Sequence, residues 1–287
     1  MSDNDRAKRN EVFGSGNGPT GHAPGMPTRN VMKDDFGLDI PVDVVPLPSR
    51  GVVYPVDSPM HGKDTVSIRA MTAREEDILP SRALIKNGTV ITELLKSCIV
   101  DEGFDPMNLL TGDRNALMTA LRITGYGAEY NVEVNCPACG ERSKQKFNLA
   151  ELPVKRLEIE PISPGANLFE VELPVSKKKI TYKVLTGKEE RAIIEELKQL
   201  EKTGSQVSRE LTTRLRYSIT SVDGDTNQST INALSNDMLA RDSLFLREEM
   251  LKMAPDIDLR QKIELEGDTV EVAIPMTVNF FWPGVKT

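Results

Sequence analysis

Cys136 and Cys139, in Cys136-Pro137-Ala138-Cys139-Gly140, are the residues whose type and spacing are best suited to chemistry. Two thiolates on a tight knuckle, with glycine permitting the turn, make half of a tetrahedral zinc site. No second half is evident: Cys98 falls on an apolar helical face, and His22 and His61 lie in loops far upstream. Three readings stay open: a zinc site completed within the chain, a relic knuckle with reduced thiols, and a site completed by another chain. A thioredoxin-like redox role is disfavoured. Such a pair sits at a helix N-terminus, which lowers a thiol pKa, whereas Glu141-Arg142-Ser143-Lys144-Gln145-Lys146-Phe147 reads as a returning polar strand.

Other chemistry finds less support. The two histidines both stand beside a glycine and suggest no Ser-His-Asp arrangement. The chain has no Gly-x-Ser-x-Gly and no Walker A phosphate loop, and Gly14-Ser15-Gly16-Asn17-Gly18 precedes no helix. Glu75-Glu76-Asp77 and Glu189-Glu190 fall in first helical turns, where the helix dipole favours negative charge. Lys177-Lys178-Lys179 reads as the solvated tip of a hairpin. No catalytic residue is expected, and the chain is read as a non-enzyme. Phe280-Phe281-Trp282 is different: three large rings cluster near the C-terminus of a chain with 5% aromatics and a single tryptophan. Either two rings are buried and one caps an edge, or some ring area docks on a partner, as aromatic anchors do.

The elements that must position these residues repeat. Val66-Ser67-Ile68-Arg69-Ala70-Met71-Thr72-Ala73-Arg74-Glu75-Glu76-Asp77 and Ile180-Thr181-Tyr182-Lys183-Val184-Leu185-Thr186-Gly187-Lys188-Glu189-Glu190-Arg191 each give an alternating strand, a threonine N-cap and an early glutamate. The spacing predicts an α+β chain of two related modules, each with a strand hairpin, helices and a terminal strand pair. The expected division is a disordered N-terminal arm over 1–40, a first module over 41–152, a Pro-punctuated connector over 153–167 and a second module over 168–287. Helices are expected over 72–122, with Asp113 capping the last of them, and over 186–203, 207–220 and 229–252. Strands are expected around the cysteine knuckle at 128–149. A closing pair at 257–260 and 270–274 turns at Glu266-Gly267-Asp268.

Composition bounds the partners. The 287 residues suffice for about two domains. A net charge of −7 and a pI near 5.2 argue against a broad nucleic-acid footprint. No apolar run approaches the roughly 20 residues that span a bilayer, and the N-terminus does not read as a secretory signal. An odd cysteine count suits a reducing cytoplasm.

Taken in order, five pieces are similar to the T4-type baseplate hub assembly proteins of contractile-tailed bacteriophages. They are Leu47-Pro48-Ser49-Arg50-Gly51-x-x-Tyr54, Arg69-Ala70-Met71-Thr72-Ala73-Arg74-Glu75-Glu76-Asp77-Ile78-Leu79, Leu110-Thr111-Gly112-Asp113-Arg114 with Leu121-Arg122, Cys136-x-x-Cys139-Gly140, and Phe280-Phe281-Trp282-Pro283. The resemblance implies a structural subunit or assembly factor of the tail hub, made in the host cytoplasm and acting in the virion baseplate. It implies contacts with other tail and baseplate proteins, the tape measure protein among them, in an oligomeric assembly, with no nucleic acid and no membrane. Partner binding is expected at Phe280, Phe281 and Trp282. No cofactor is expected, zinc at Cys136 and Cys139 being the exception to test, because the second module lacks a Cys-x-x-Cys. The alternatives are a tape-measure chaperone absent from the mature particle and a zinc-ribbon nucleic-acid-binding regulator.

Overall fold

The computed structural model describes residues 30–33, 37–103, 105–136, 140, 142–203, 208–265, 268–276 and 280–281. In the first unit, β1 (Asn30–Lys33), β2 (Asp39–Pro46) and β3 (Thr65–Arg69) form an antiparallel sheet in the order β1-β2-β3. Alternation in β3 turns Val66 and Ile68 inward and leaves Ser67 and Arg69 less covered. Helices α1 (Ala73–Glu76), α2 (Arg82–Asn87), α3 (Val90–Cys98) and α4 (Thr111–Tyr126) follow. The α3 helix buries Val90, Leu94, Leu95 and Cys98, one face at helical spacing. A hairpin of β4 (Glu129–Asn135) and β5 (Arg142–Asn148) then leads to β6 (Val154–Lys155).

The second unit has β7 (Phe169–Glu172), β8 (Lys179–Tyr182) and β9 (Ile219–Val222) in one antiparallel sheet. Its helices are α5 (Gly187–Lys202), α6 (Glu210–Ser218), α7 (Gln228–Asp237) and α8 (Ala240–Met253). It closes with β10 (Asp256–Ile257) and a hairpin of β11 (Arg260–Leu265) and β12 (Asp268–Ala273). The fold is α+β, and no helix among the described residues is long and apolar enough to cross a membrane.

Several expectations need correction. Residues 30–33 of the expected free arm pair with β2, and Val31 is 65% exposed, so backbone bonding rather than burial holds β1; residues 1–29 lie outside the described ones. The expected helix over 229–252 breaks at Met238-Leu239, where both residues are extended (ψ 131° and 138°). The 207–220 helix stops at Ser218, because Ile219 turns extended to pair with β8. The connector is not free of structure either: β6 pairs with β10 from the end of the second unit. The turn at Glu266-Gly267 lies outside the described residues.

The repetition extends well past the capped strands. In each unit the cation three residues before the N-cap threonine, in β3 or just past β8, binds the capping-box glutamate: Arg69 Nη2 to Glu75 Oε1 and Lys183 Nζ to Glu189 Oε1, both 2.7 Å. Burial works against both carboxylates. Hydrogen bonds from Arg69, Ser97 and Thr72 nevertheless hold Glu75 well below the usual range, and those from Lys183 and Thr186 hold Glu189 at about 2. The α3 and α6 helices are each followed by an extended isoleucine, Ile99 or Ile219 (ψ 129° and 131°). Each pairs antiparallel with the residue four before the cap, Ile68 or Tyr182.

The two units also interlock. Leu110, the N-cap of α4, bridges Thr186, the N-cap of α5; Thr111 N–H donates to Leu185 O at 3.0 Å and Gly187 N–H to Leu109 O at 3.0 Å. Asn115 donates to Asp256 at 3.0 Å. A single buried cluster contains Leu47, Leu117 and Tyr130 together with Leu173, Leu246 and Phe280.

Candidate functional site

Cys136, at the end of β4, is buried at 6% exposure, and Cys139 lies outside the described residues. Among the described residues no group of three or more His, Cys, Asp or Glu could hold a metal ion. His61 is engaged elsewhere, its Nδ1 lying 2.6 Å from the Tyr54 carbonyl.

Phe280 and Phe281 are both fully buried. Their rings meet edge to face, centroids 5.1 Å apart at 85°, and Phe280 meets Tyr130 at 5.1 Å and 73°. Tyr130 in turn donates its hydroxyl to Pro275 O at 3.1 Å. These two rings therefore fasten the end of the chain to the first unit's hairpin. That corrects the expectation of an exposed partner anchor at Phe280 and Phe281, because the rings have no surface left to offer. Trp282 lies outside the described residues.

The buried polar cluster that sequence reasoning missed is centred on Asp113. This residue does not cap its own helix. As the third residue of α4 it accepts from Ser49 N–H (3.0 Å), Ser49 Oγ (2.6 Å) and Tyr54 hydroxyl (2.6 Å), and Tyr54 hydroxyl also accepts from Leu110 N–H (2.9 Å). Burial pushes Asp113 up and Tyr54 well up from their ordinary values. Ser49 is fully buried and makes no hydrogen bond to a histidine among the described residues, so the cluster is a clamp on the Leu47-Pro48-Ser49-Arg50 turn. The second unit repeats it. Asp242, third residue of α8, accepts from Val175 N–H (2.8 Å) and Ser176 N–H (3.0 Å) in the Leu173-Pro174 turn. Both turns place a basic residue in the left-handed region, Arg50 at φ 53° and Lys177 at φ 57°. The signal was present in the sequence: Leu110 and Leu239 each precede an aspartate by three positions.

Two of the surface clefts are lined by exposed apolar or basic side chains. A groove of about 380 Å³ between α6 and α8 is walled by Leu211, Leu215, Met250 and Leu251. A cleft of about 260 Å³ between α2 and α5 is lined by Lys86, Arg191, Ile194, Glu195, Lys198 and Lys202. Both are suited to contact with another surface.

Residues 52–163 match the model of a family described as T4 bacteriophage base plate protein. No match is found among curated proteins or among solved structures. The matched segment starts in the Arg50–Tyr54 turn, takes in β3, α1–α4, Asp113 and the β4–β5 hairpin, and ends in the connector, so it covers the first unit except β1, β2 and residues 47–51. The match supports a structural role associated with the phage baseplate.

Proposed function

We propose that this chain is a structural or assembly component of the baseplate hub of a contractile bacteriophage tail, acting through protein–protein contacts and without catalysis. The observation that carries the reading beyond the matched segment is the recurrence of its devices in the second unit. The cation–threonine–glutamate cap, the extended isoleucine that follows α3 and α6, and the aspartate clamp on a Leu-Pro turn all return. A unit with a baseplate relative and a second unit built the same way make one scaffold with two sets of surfaces, suited to joining neighbours rather than to turning over a substrate. Its partners are other tail and baseplate proteins, met in the host cytoplasm during assembly, and it works in an oligomeric setting. The test is genetic and visual. A phage from which this reading frame is deleted should fill heads but accumulate no complete baseplates, with rescue by the gene in trans. Normal tails and plaques from the deleted phage would refute the proposal.

A further inference from the structure

The chain carries more acidic than basic residues, 43 against 36, yet the cleft between α2 and α5 is lined by four cations and one carboxylate. That carboxylate, Glu195, is paired with Arg191 at 2.8 Å. Lys86, Lys198 and Lys202 are exposed and form no ion pair among the described residues. The C-terminal turns of α2 and α5 account for Lys86 and Lys202 through the helix dipole. They do not account for the apolar residues beside them. Ile85 is 46% exposed and Ile194 is 47% exposed, while Ile193 next to it is fully buried and carries the packing of that helix. Gly88 ends α2 in the left-handed conformation and leaves open space where a side chain would stand. The cleft thus combines an open mouth, one exposed isoleucine in its lining, Ile194, and three ammonium groups with no ion pair among the described residues.

We propose that this cleft docks an acidic protein segment, an apolar side chain of which seats against Ile194 while its carboxylates meet Lys86, Lys198 and Lys202. Lysine stems extend the apolar floor while their charged ends stay at the rim, where they steer an anionic partner and set its register. Ile194 favours a protein segment, which carries apolar side chains, over a nucleic-acid backbone. That the segment belongs to a tail protein rests on the baseplate reading; the chemistry of the cleft does not.

The experiment is a fluorescence-anisotropy titration of the full chain with an amphipathic peptide of Glu and Leu at helical spacing, its Lys-for-Glu counterpart, and a short duplex DNA. The acidic peptide should bind, the basic one should not, and binding should weaken as salt rises. The variant K86E/K198E/K202E should lose about tenfold or more in affinity, since three exposed charge contacts are reversed. The control K144E/R260E/K262E, with the same net charge, should bind like wild type. Ile194→Ser should weaken binding while leaving its salt dependence in place. Equal binding of both peptides, equal losses in the two charge-reversed variants, or tighter binding of the DNA than of the acidic peptide would overturn the proposal. The two readings fail separately. A chain that binds the acidic peptide through these lysines but never enters a tail fraction would sink the baseplate function alone.

Discussion

Replacing Gly112 with alanine would place a methyl group 1.8 Å from Pro255 O, 2.7 Å from Pro255 C and 2.8 Å from Asp256 Cα. All three are backbone atoms, so no rotamer change relieves the overlap, and α4 must lift away from the Pro255-Asp256 segment that joins α8 to β10. Overpacking typically costs ~1–3 kcal/mol, and contact with backbone puts this case near the top of that range. Displacing Asp256 also weakens the 3.0 Å bond from Asn115, for another ~1 kcal/mol. The intrinsic helix preference of alanine over glycine returns at most about 1 kcal/mol. The net loss is about 3 kcal/mol, or a fall of roughly 6–12 °C in Tm. Gly125→Ala, in the same helix, is the matched control. Its methyl would meet only Met71 Cε, at 2.9 Å, the end of a flexible side chain. That variant should be neutral or up to about 1 kcal/mol more stable. Urea unfolding followed by circular dichroism measures both. Equal midpoints for the two variants would refute the seating of α4 on Pro255.

Three further outcomes follow from the same structure. Phe280→Ala and Phe281→Ala should each destabilise by about 3–5 kcal/mol in thermal melts, as buried aromatic truncations do; an unchanged melt with weakened partner binding would restore the anchor role instead. Glu189, its side chain 19% exposed, has a folded-state pKa of about 2, below the ~4.3 of an unfolded glutamate, so its stabilisation is present above about pH 4.3 and is lost as pH falls towards 2. With solvent screening this is worth ~2 kcal/mol, and Glu189→Gln should remove that share of the acid dependence. Asp113 and Asp256 are shifted upward and act in the opposite sense, so the difference between wild type and variant, rather than the raw slope, is the readout. Cys98 is fully buried and its thiol is pushed up to about 12, chiefly by burial. Alkylation of Cys98 near neutral pH should therefore track unfolding in urea, and rapid labelling in native buffer would contradict the packing of α3.

The capped strands and the β4–β5 hairpin were legible because short-range chemistry specifies them, whereas the first strand of the closing pair, expected at 257–260, lies at 260–265 because Asp256 and Ile257 pair with β6 instead. A threonine with a glutamate three residues on can satisfy its own helix end, and alternating side chains define a strand without outside help. What stayed hidden depends on distant partners. Asp113 meets Ser49 from 64 positions away, so it read as a local cap. The break at Met238-Leu239 contains neither proline nor glycine; it sets the start of α8 so that Asp242 reaches the Val175-Ser176 amides, 67 and 66 positions back. Phe280 and Phe281 looked available because Phe280 packs on Tyr130 in the other unit and Phe281 packs on Phe280. The lysines of the α2–α5 cleft gave no pattern in sequence, since Lys86 and Lys198 are brought together only by the interlock of the units.

The most direct measurement of the account is quantitative mass spectrometry of baseplate assembly intermediates purified from infected cells carrying an affinity tag on this chain. Recovery of the chain in fixed proportion to other baseplate proteins, in at least one intermediate, is the predicted result. Its recovery only as free protein, while baseplates form at normal yield in cells that lack it, would contradict the account.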